Sequence, residues 1–249
     1  MPSIAYGTWR WDDSDLKTRK SVDFAKQAFS VGIRHLDTAQ YYANEFEAGI
    51  AIRETGIPRE QIYVTTKWSK VNNLDITTSC RDSLKEATCW KEMERLKDSG
   101  LARSIGVSNF KVKHLEEVFA VAKHIPAVNQ DPLTSAARIK ICLHPYVYEE
   151  QRPTLDLCKE KNIVIAAYSP LEPLKKNPEG PLKKPLSEIS DRLGVSMDQV
   201  LLAWIKARGY VPVTMSTKED RLRGYVKAGD IDLTEADIRA IDEAGAAGP

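Results

Sequence analysis

Short runs rich in β-branched and aromatic residues alternate with helical patterns almost from one end of the chain to the other. A chain built this way folds as parallel strands covered by helices. Ser3 to Trp9 reads as the first strand, followed by a helix around Ser21 to Val31 whose Val22, Ala25, Ala28 and Phe29 share one face and whose stop is Gly32. Further strands are expected at Arg34 to Ala39, Gln61 to Trp68, Ser104 to Val107, Pro126 to Gln130, Ile163 to Tyr168 and Tyr210 to Thr214. Helices are expected at Phe46 to Thr55, Asp75 to Glu86, Trp90 to Gly100, around Leu115 to Ala122, Leu155 to Lys161, Leu186 to Ala207 with a break near Gly194, Glu219 to Ala228, and from Thr234 onward. Ser196 with Gln199 forms a capping box stapled by Val195 and Val200, and Leu233 with Ile238 staples the last helix, where Thr234 is followed three residues on by Asp237. The proline- and lysine-rich stretch from Pro170 to Pro185 reads as a surface loop. One domain of residues 1–249 follows, an α/β fold of the (β/α)8 TIM-barrel type. The length of 249 residues suits it, and a doubly wound sheet normally shows a Gly-rich first turn that is absent here.

The rhythm fails once. Between Asp75 and Gly100 two helices abut at Ala87-Thr88-Cys89, where a fourth strand is expected. About seven βα units are therefore recognisable, and the barrel is incomplete. A closed barrel that loses a strand exposes two unpaired edges, so the expectation is an open, marginally stable barrel.

Several function classes are excluded early. Thirty-six Lys and Arg against 35 Asp and Glu give a net charge of +1, which generates no global field for nucleic acid or an anionic membrane. The longest apolar runs, Ile163 to Tyr168 and Val200 to Ile205, fall far short of the roughly 20 residues a membrane helix needs. Met1-Pro2 does not open a signal peptide. Cys80, Cys89, Cys142 and Cys158 have no C-x-x-C spacing, which points to reduced thiols, a cytoplasmic setting and no zinc site. The 13 glycines never form G-x-G-x-x-G or a P-loop, so a nucleotide would have to be held another way.

In a (β/α) barrel the chemistry lies at the carboxyl ends of the strands. Those ends carry Asp37, with Tyr42 in the loop behind it, then Lys67, Ser108 and Asn109, Gln130, Tyr168 and Ser169, and Ser216. A strand-end Asp, Ser or Asn is often only a helix cap, but polar residues at one strand end after another point to a site. Asp37, Tyr42 and Lys67 have a definite use. A phenol is a poor acid at neutral pH, a neighbouring ammonium favours the phenolate, and a carboxylate keeps that ammonium charged and fixed. The structural alternative is a buried Asp–Lys ion pair with a tyrosine packed nearby.

The sequence resembles the aldo-keto reductases. The resemblance rests on Gly7-Thr8-Trp9, Asp37-Thr38-Ala39-Gln40-Tyr41-Tyr42-Ala43-Asn44-Glu45, Thr65-Thr66-Lys67-Trp68, Gly106-Val107-Ser108-Asn109-Phe110, Val128-Asn129-Gln130, His144-Pro145-Tyr146, Tyr168-Ser169-Pro170-Leu171 and Ser216-Thr217-Lys218-Glu219-Asp220-Arg221, in family order across nearly the whole chain. The resemblance implies NADP(H)-dependent reduction of small-molecule aldehydes or ketones to alcohols. Tyr42 would donate the proton, Lys67 would lower its pKa and Asp37 would hold Lys67. It also implies nicotinamide contacts from Ser108, Asn109 and Gln130, ring stacking on Tyr168, and further cofactor contacts at Gly7, Thr8, Ser169 and Leu171. Ser216, Lys218 and Arg221 would grip the 2′-phosphate, a role that suits basic side chains. Trp9 and Trp68 would line an apolar substrate pocket.

Two departures accompany the resemblance. The family's fourth strand ends in a histidine that contacts the carbonyl oxygen, and none of His35, His114, His124 and His144 falls at that position. Residues 131–142 intervene between Gln130 and the His-Pro motif, with Ile139, Ile141 and Leu143 alternating as in a strand. Three other readings follow: a catalytically dead NADPH-binding protein, a non-functional splice or gene-model variant, and a barrel hydrolase or lyase using Asp37 and Lys67.

Overall fold

The computed structural model describes residues 1–9, 19–68, 86–130 and 143–249. The expected helix from Asp75 up to Glu86, the segment 131–142, and Cys80 and Cys142 lie outside the described residues.

Seven parallel strands are described: β1 (Ala5–Gly7), β2 (His35–Asp37), β3 (Tyr63–Thr65), β4 (Val107–Ser108), β5 (Val128–Gln130), β6 (Val164–Tyr168) and β7 (Val211–Thr214). Their order in the sheet is β3-β2-β1-β7-β6-β5-β4, the order of a barrel laid open at one place. Among the described residues no strand joins β3 to β4, and this is the position where the sequence lacks a stave. The exposure pattern agrees, since β1 and β2 are buried throughout while all three residues of β3 are only half-buried. Each strand is shorter than the run that predicts it, because a run outlasts the few residues that are paired with a neighbouring strand.

Ten helices cover the sheet among the described residues: α1 (Arg19–Ser30), α2 (Glu45–Glu54), α3 (Glu86–Asp98), α4 (Val112–Phe119), α5 (Pro145–Glu160), α6 (Glu172–Lys176), α7 (Lys183–Leu193), α8 (Met197–Ala207), α9 (Glu219–Lys227) and α10 (Glu235–Ala246). Gly194, at φ +66°, ends α7, and the expected Ser196–Gln199 capping box starts α8. Thr234 and Asp237 cap α10 reciprocally, the Asp237 N–H donating to Oγ1 of Thr234 at 3.2 Å and the Thr234 N–H to the Asp237 carboxylate at 2.8 Å. Two expectations need correction. Helix α5 begins at Pro145, ten residues before the predicted start, because proline is tolerated at the first helical position, where an N–H would be unbonded anyway. The stretch from Pro170 to Pro185 is not simply loop, since it contains α6 and the start of α7, and its Leu171, Pro173 and Leu182 are buried.

The apolar contacts fall in two layers. Small side chains from the neighbouring strands β1, β7 and β6, Ala5, Val213 and Ala166, pack inside the barrel with Val128 and Tyr168. The larger cluster, including Tyr6, Leu36, Ile165 and Ala167, lies between strands and helices with Leu115, Leu201 and Trp204. This is the division that strand alternation predicts. The C-terminal helix seals the cluster by close approach: a Cβ built on Gly245 of α10 would stand 2.6 Å from the backbone oxygen of Pro145. Neither backbone can yield without moving a helix. Gly245→Ala should therefore lower stability by about 1–3 kcal/mol, read as a fall in the urea midpoint. Gly229→Ala, with nothing within 4 Å of the added carbon, should leave the midpoint nearly unchanged.

Candidate active site

The carboxyl end of β2 delivers Asp37 into the barrel mouth, where it is 3% exposed. Its Oδ1 accepts from Lys67 Nζ at 2.7 Å and its Oδ2 from Gln130 Nε2 at 2.9 Å. Lys67, just past β3, also donates to the carbonyl oxygen of Thr38 at 2.8 Å. Its third direction faces the Tyr42 hydroxyl at 3.4 Å. Tyr42 reaches this point because the chain turns sharply after β2: a 3₁₀ turn over Gln40–Tyr42 ends at Ala43, which adopts the left-handed conformation at φ +54°.

A second set of bonds fixes that turn. Buried Asn44 accepts from the Thr8 hydroxyl at 3.1 Å and the Thr38 hydroxyl at 3.0 Å, and donates to the Thr8 carbonyl at 2.9 Å. The turn carrying Tyr42 is thereby locked to both β1 and β2. Sequence reasoning placed Asn44 in a motif without giving it a role. The sequence offers only an asparagine six residues after Thr38, with Thr8 at another strand end; its burial and its bridging bonds are visible in the structure alone.

Charge in the site is set by burial. Burial pushes the Asp37 carboxyl above its usual range, opposed by the Lys67 charge and by hydrogen bonds from Lys67 and Gln130. The Tyr42 phenol is pushed up as well, first by burial and then by the Asp37 charge. The 3.4 Å contact with Lys67 favours the phenolate, as expected of a neighbouring ammonium, but burial outweighs it and the net direction is upward. Aromatic rings line the opening, with Trp9 stacked on Tyr41 at 5.4 Å and meeting Tyr42 edge-on at 4.7 Å. Trp68 is half-buried at the end of its described segment.

The other strand ends complete the rim. The Ser108 hydroxyl donates to the Gln130 carbonyl at 3.1 Å, and Asn109, exposed at φ +70°, donates its amide to the Ser108 oxygen at 3.2 Å. Tyr168 ends β6 half-buried, and Ser169 follows it at φ +50°. Gly7 and Thr8 are buried at the end of β1, and Leu171 is buried beyond β6. Ser216 follows β7 with its oxygen accepting from the Lys218 N–H at 3.1 Å, and Lys218 is exposed at the start of α9. Arg221 stands apart from these, paired with Asp198 of α8 at 2.9 Å.

The Asp37–Lys67–Tyr42 cluster at the mouth of a parallel barrel, with the motif residues ranged round the rim, is joined by a direct match. The profile of the Aldo/keto reductase family matches residues 3–89 and 86–246. The chain belongs to this family. The match divides at residues 86–89, where α3 begins and where the sequence sets two helices end to end. Relatives of the chain include an NAD/NADP-dependent indole-3-acetaldehyde reductase of Schizosaccharomyces pombe, 31% identical, with 92% of this chain and 84% of that protein aligned. Another is a 9,11-endoperoxide prostaglandin H2 reductase of Trypanosoma cruzi, 34% identical over 98% of this chain and 87% of that one. An aldo/keto reductase structure from Brucella melitensis superposes with a TM-score of 0.79 at 25% identity, covering 98% of this chain and 95% of that one.

The four histidines of the chain are engaged with other partners. His35 bonds Thr65 Oγ1 at 2.8 Å, His114 accepts from the Lys111 N–H, His124 pairs with Asp98, and His144 packs edge-on against Tyr146. Two of them carry a pH signature. Burial first, then the Lys67 charge, lowers His35 to about 3, and burial lowers His144 to about 4. Both folded values lie below that of an unfolded histidine, so the unfolded chain binds more protons as pH falls. Stability is full above about pH 6.5 and declines on acidification by roughly 1 kcal/mol per pH unit for each histidine, with Asp37 acting in the opposite sense. Urea midpoints should fall steadily between pH 7 and 5, and His144→Asn should remove about half of that slope.

Proposed function

We propose that the chain is an NADP(H)-dependent oxidoreductase that reduces aldehydes or ketones to alcohols, with Tyr42 as the proton donor, Lys67 as its electrostatic partner and Asp37 as the holder of Lys67. The observation that carries this reading is the convergence of the three groups, Lys67 Nζ lying 2.7 Å from Asp37 and 3.4 Å from the Tyr42 hydroxyl. The relative named an NAD/NADP-dependent indole-3-acetaldehyde reductase, and the Saccharomyces cerevisiae relative named an NADPH-dependent alpha-keto amide reductase, support the reaction class and the cofactor.

The dinucleotide, when bound, supplies the hydride, and every other task falls to the chain's own residues. Burial holds the Tyr42 phenol protonated well above neutral pH, as a proton donor requires. As negative charge grows on the carbonyl oxygen, that oxygen becomes more basic than a phenolate and takes the proton from the Tyr42 hydroxyl. The phenolate left behind stands 3.4 Å from the Lys67 ammonium, an attraction of about 5 kcal/mol at an effective dielectric of about 20. Lys67 therefore acts when the charge appears, not in the resting site. Trp9 and Trp68 wall the substrate side with apolar surface, which excludes water and favours small carbonyl compounds.

The rim residues fit a nicotinamide dinucleotide. Asn109 and Ser169 keep left-handed backbone at the ends of β4 and β6, a strain that collects where a ligand is held. Ser108, Gln130 and Tyr168 flank them for the nicotinamide end, with Gly7, Thr8 and Leu171 beside it. Helix α9 begins without a side-chain cap, so its first N–H groups together with Lys218, Arg221 and Ser216 suit a phosphate. Arg221 would then exchange the Asp198 carboxylate for that phosphate.

Tyr42→Phe should lower carbonyl-dependent NADPH oxidation by about 10²–10⁴-fold while leaving NADPH fluorescence quenching intact. Quenching without turnover in the wild-type protein would replace this reading with that of a silent nucleotide-binding protein. Arg221→Ala should weaken NADPH binding about tenfold and leave NADH binding unchanged, measured by fluorescence titration of both dinucleotides.

A further inference from the structure

The bond between Gln130 and Asp37 joins strands that are not neighbours. Three strands, β1, β7 and β6, separate β2 from β5 along the sheet, so the 2.9 Å contact from Gln130 Nε2 to Asp37 Oδ2 crosses the barrel interior as a chord. Both side chains are more than nine-tenths buried. Among the described residues the sheet is open between β3 and β4, so its two limbs are otherwise linked only the long way round. One limb carries Tyr42 and Lys67, and the other carries Ser108, Asn109 and Gln130.

We propose that Gln130 is a positioning residue for the proton donor: its amide N–H holds the second oxygen of Asp37, which turns the first toward Lys67 and sets the two limbs of the site at working distance. This rests on the reductase reading above and adds to the nicotinamide contact a role that Gln130 performs through Asp37. The charged and titratable groups facing Asp37 are Lys67 from the end of β3, Tyr42 from the turn after β2, and His35 two residues earlier on β2. Of these only Lys67 donates to the carboxylate, and Gln130 supplies the other donor. A carboxylate repels an amide oxygen, so Asp37 also fixes which way the Gln130 amide faces: Nε2 toward the ion pair, leaving Oε1 to accept from a ligand N–H. Shortening or removing that amide frees Asp37 to rotate, and Lys67 moves with it.

The test is a double-mutant cycle of Gln130→Met, Asp37→Asn and the pair. Turnover should fall about ten- to a hundredfold in Gln130→Met, as for a small misplacement of reacting groups, and the double variant should be no slower than Asp37→Asn alone. Gln130→Asn, which keeps the amide but lacks the reach, should behave like Gln130→Met. Multiplying effects, or a weaker NADPH affinity with turnover intact, would overturn the proposal and leave Gln130 as a cofactor contact only. A readout without nucleotide separates this from a failure of the reductase reading. In the nucleotide-free protein the Gln130 side-chain amide should exchange slowly with solvent and shift in its NMR spectrum in Asp37→Asn, and the unfolding equilibrium constants of the same four proteins should show a coupling of about fivefold. A fast-exchanging amide in the wild-type protein overturns the proposal even if the Gln130 variants do not fold.

Discussion

A carboxylate removed from water has to be met by donors on both oxygens, and the mouth of this barrel is organised around doing so for Asp37. Lys67 meets one oxygen and Gln130 the other, and each of those donors is then committed in space. Lys67, anchored by Asp37 and the Thr38 carbonyl, has one direction left, and Tyr42 stands in it. Leaving a buried ion pair with one partner costs about 3–5 kcal/mol, so the arrangement is retained or lost as a unit. The reactive geometry is thus a consequence of satisfying one buried charge.

The open sheet gives this constraint added weight. In a closed barrel every strand is gripped from both sides, whereas here β3, which positions Lys67, has only β2 beside it among the described residues, and β4, which positions Ser108 and Asn109, has only β5. Side-chain bonds have to supply part of what backbone pairing does not. The Asn44 bridges and the chord from Gln130 serve in that way, one within a limb of the sheet and one between limbs.

Most of the architecture was legible because it depends on period and punctuation. The alternation of strand and helix, the stop at Gly194, the Ser196–Gln199 box and the interruption before α3 are all local patterns, and the family profile divides at that same interruption. The start of α5 is hidden because proline commonly interrupts a helical pattern, yet Pro145 sits at the first position and Pro153 is accommodated within the helix. At the site, Asp37, Tyr42 and Lys67 could be read as a set from chemistry. Burial, however, could not be read, and burial decides the direction in which Tyr42 titrates. The partners of Gln130 and Arg221 were equally out of reach, since contacts such as Gln130 with Asp37 span 93 residues and leave no trace in local pattern.

Asn44 fastens the turn that carries Tyr42 entirely through neutral groups: two hydroxyls, one carbonyl and its own amide. The Lys67–Asp37 pair beside it is sheltered from counterions, whereas Lys218 and Arg221 lie exposed at the far end of the site. Ionic strength therefore reaches the two ends of the site unequally. Salt weakens the hold on a charged ligand tail at the rim and leaves the interior that handles the proton as it was, so capture and chemistry answer to different features of the surrounding solution.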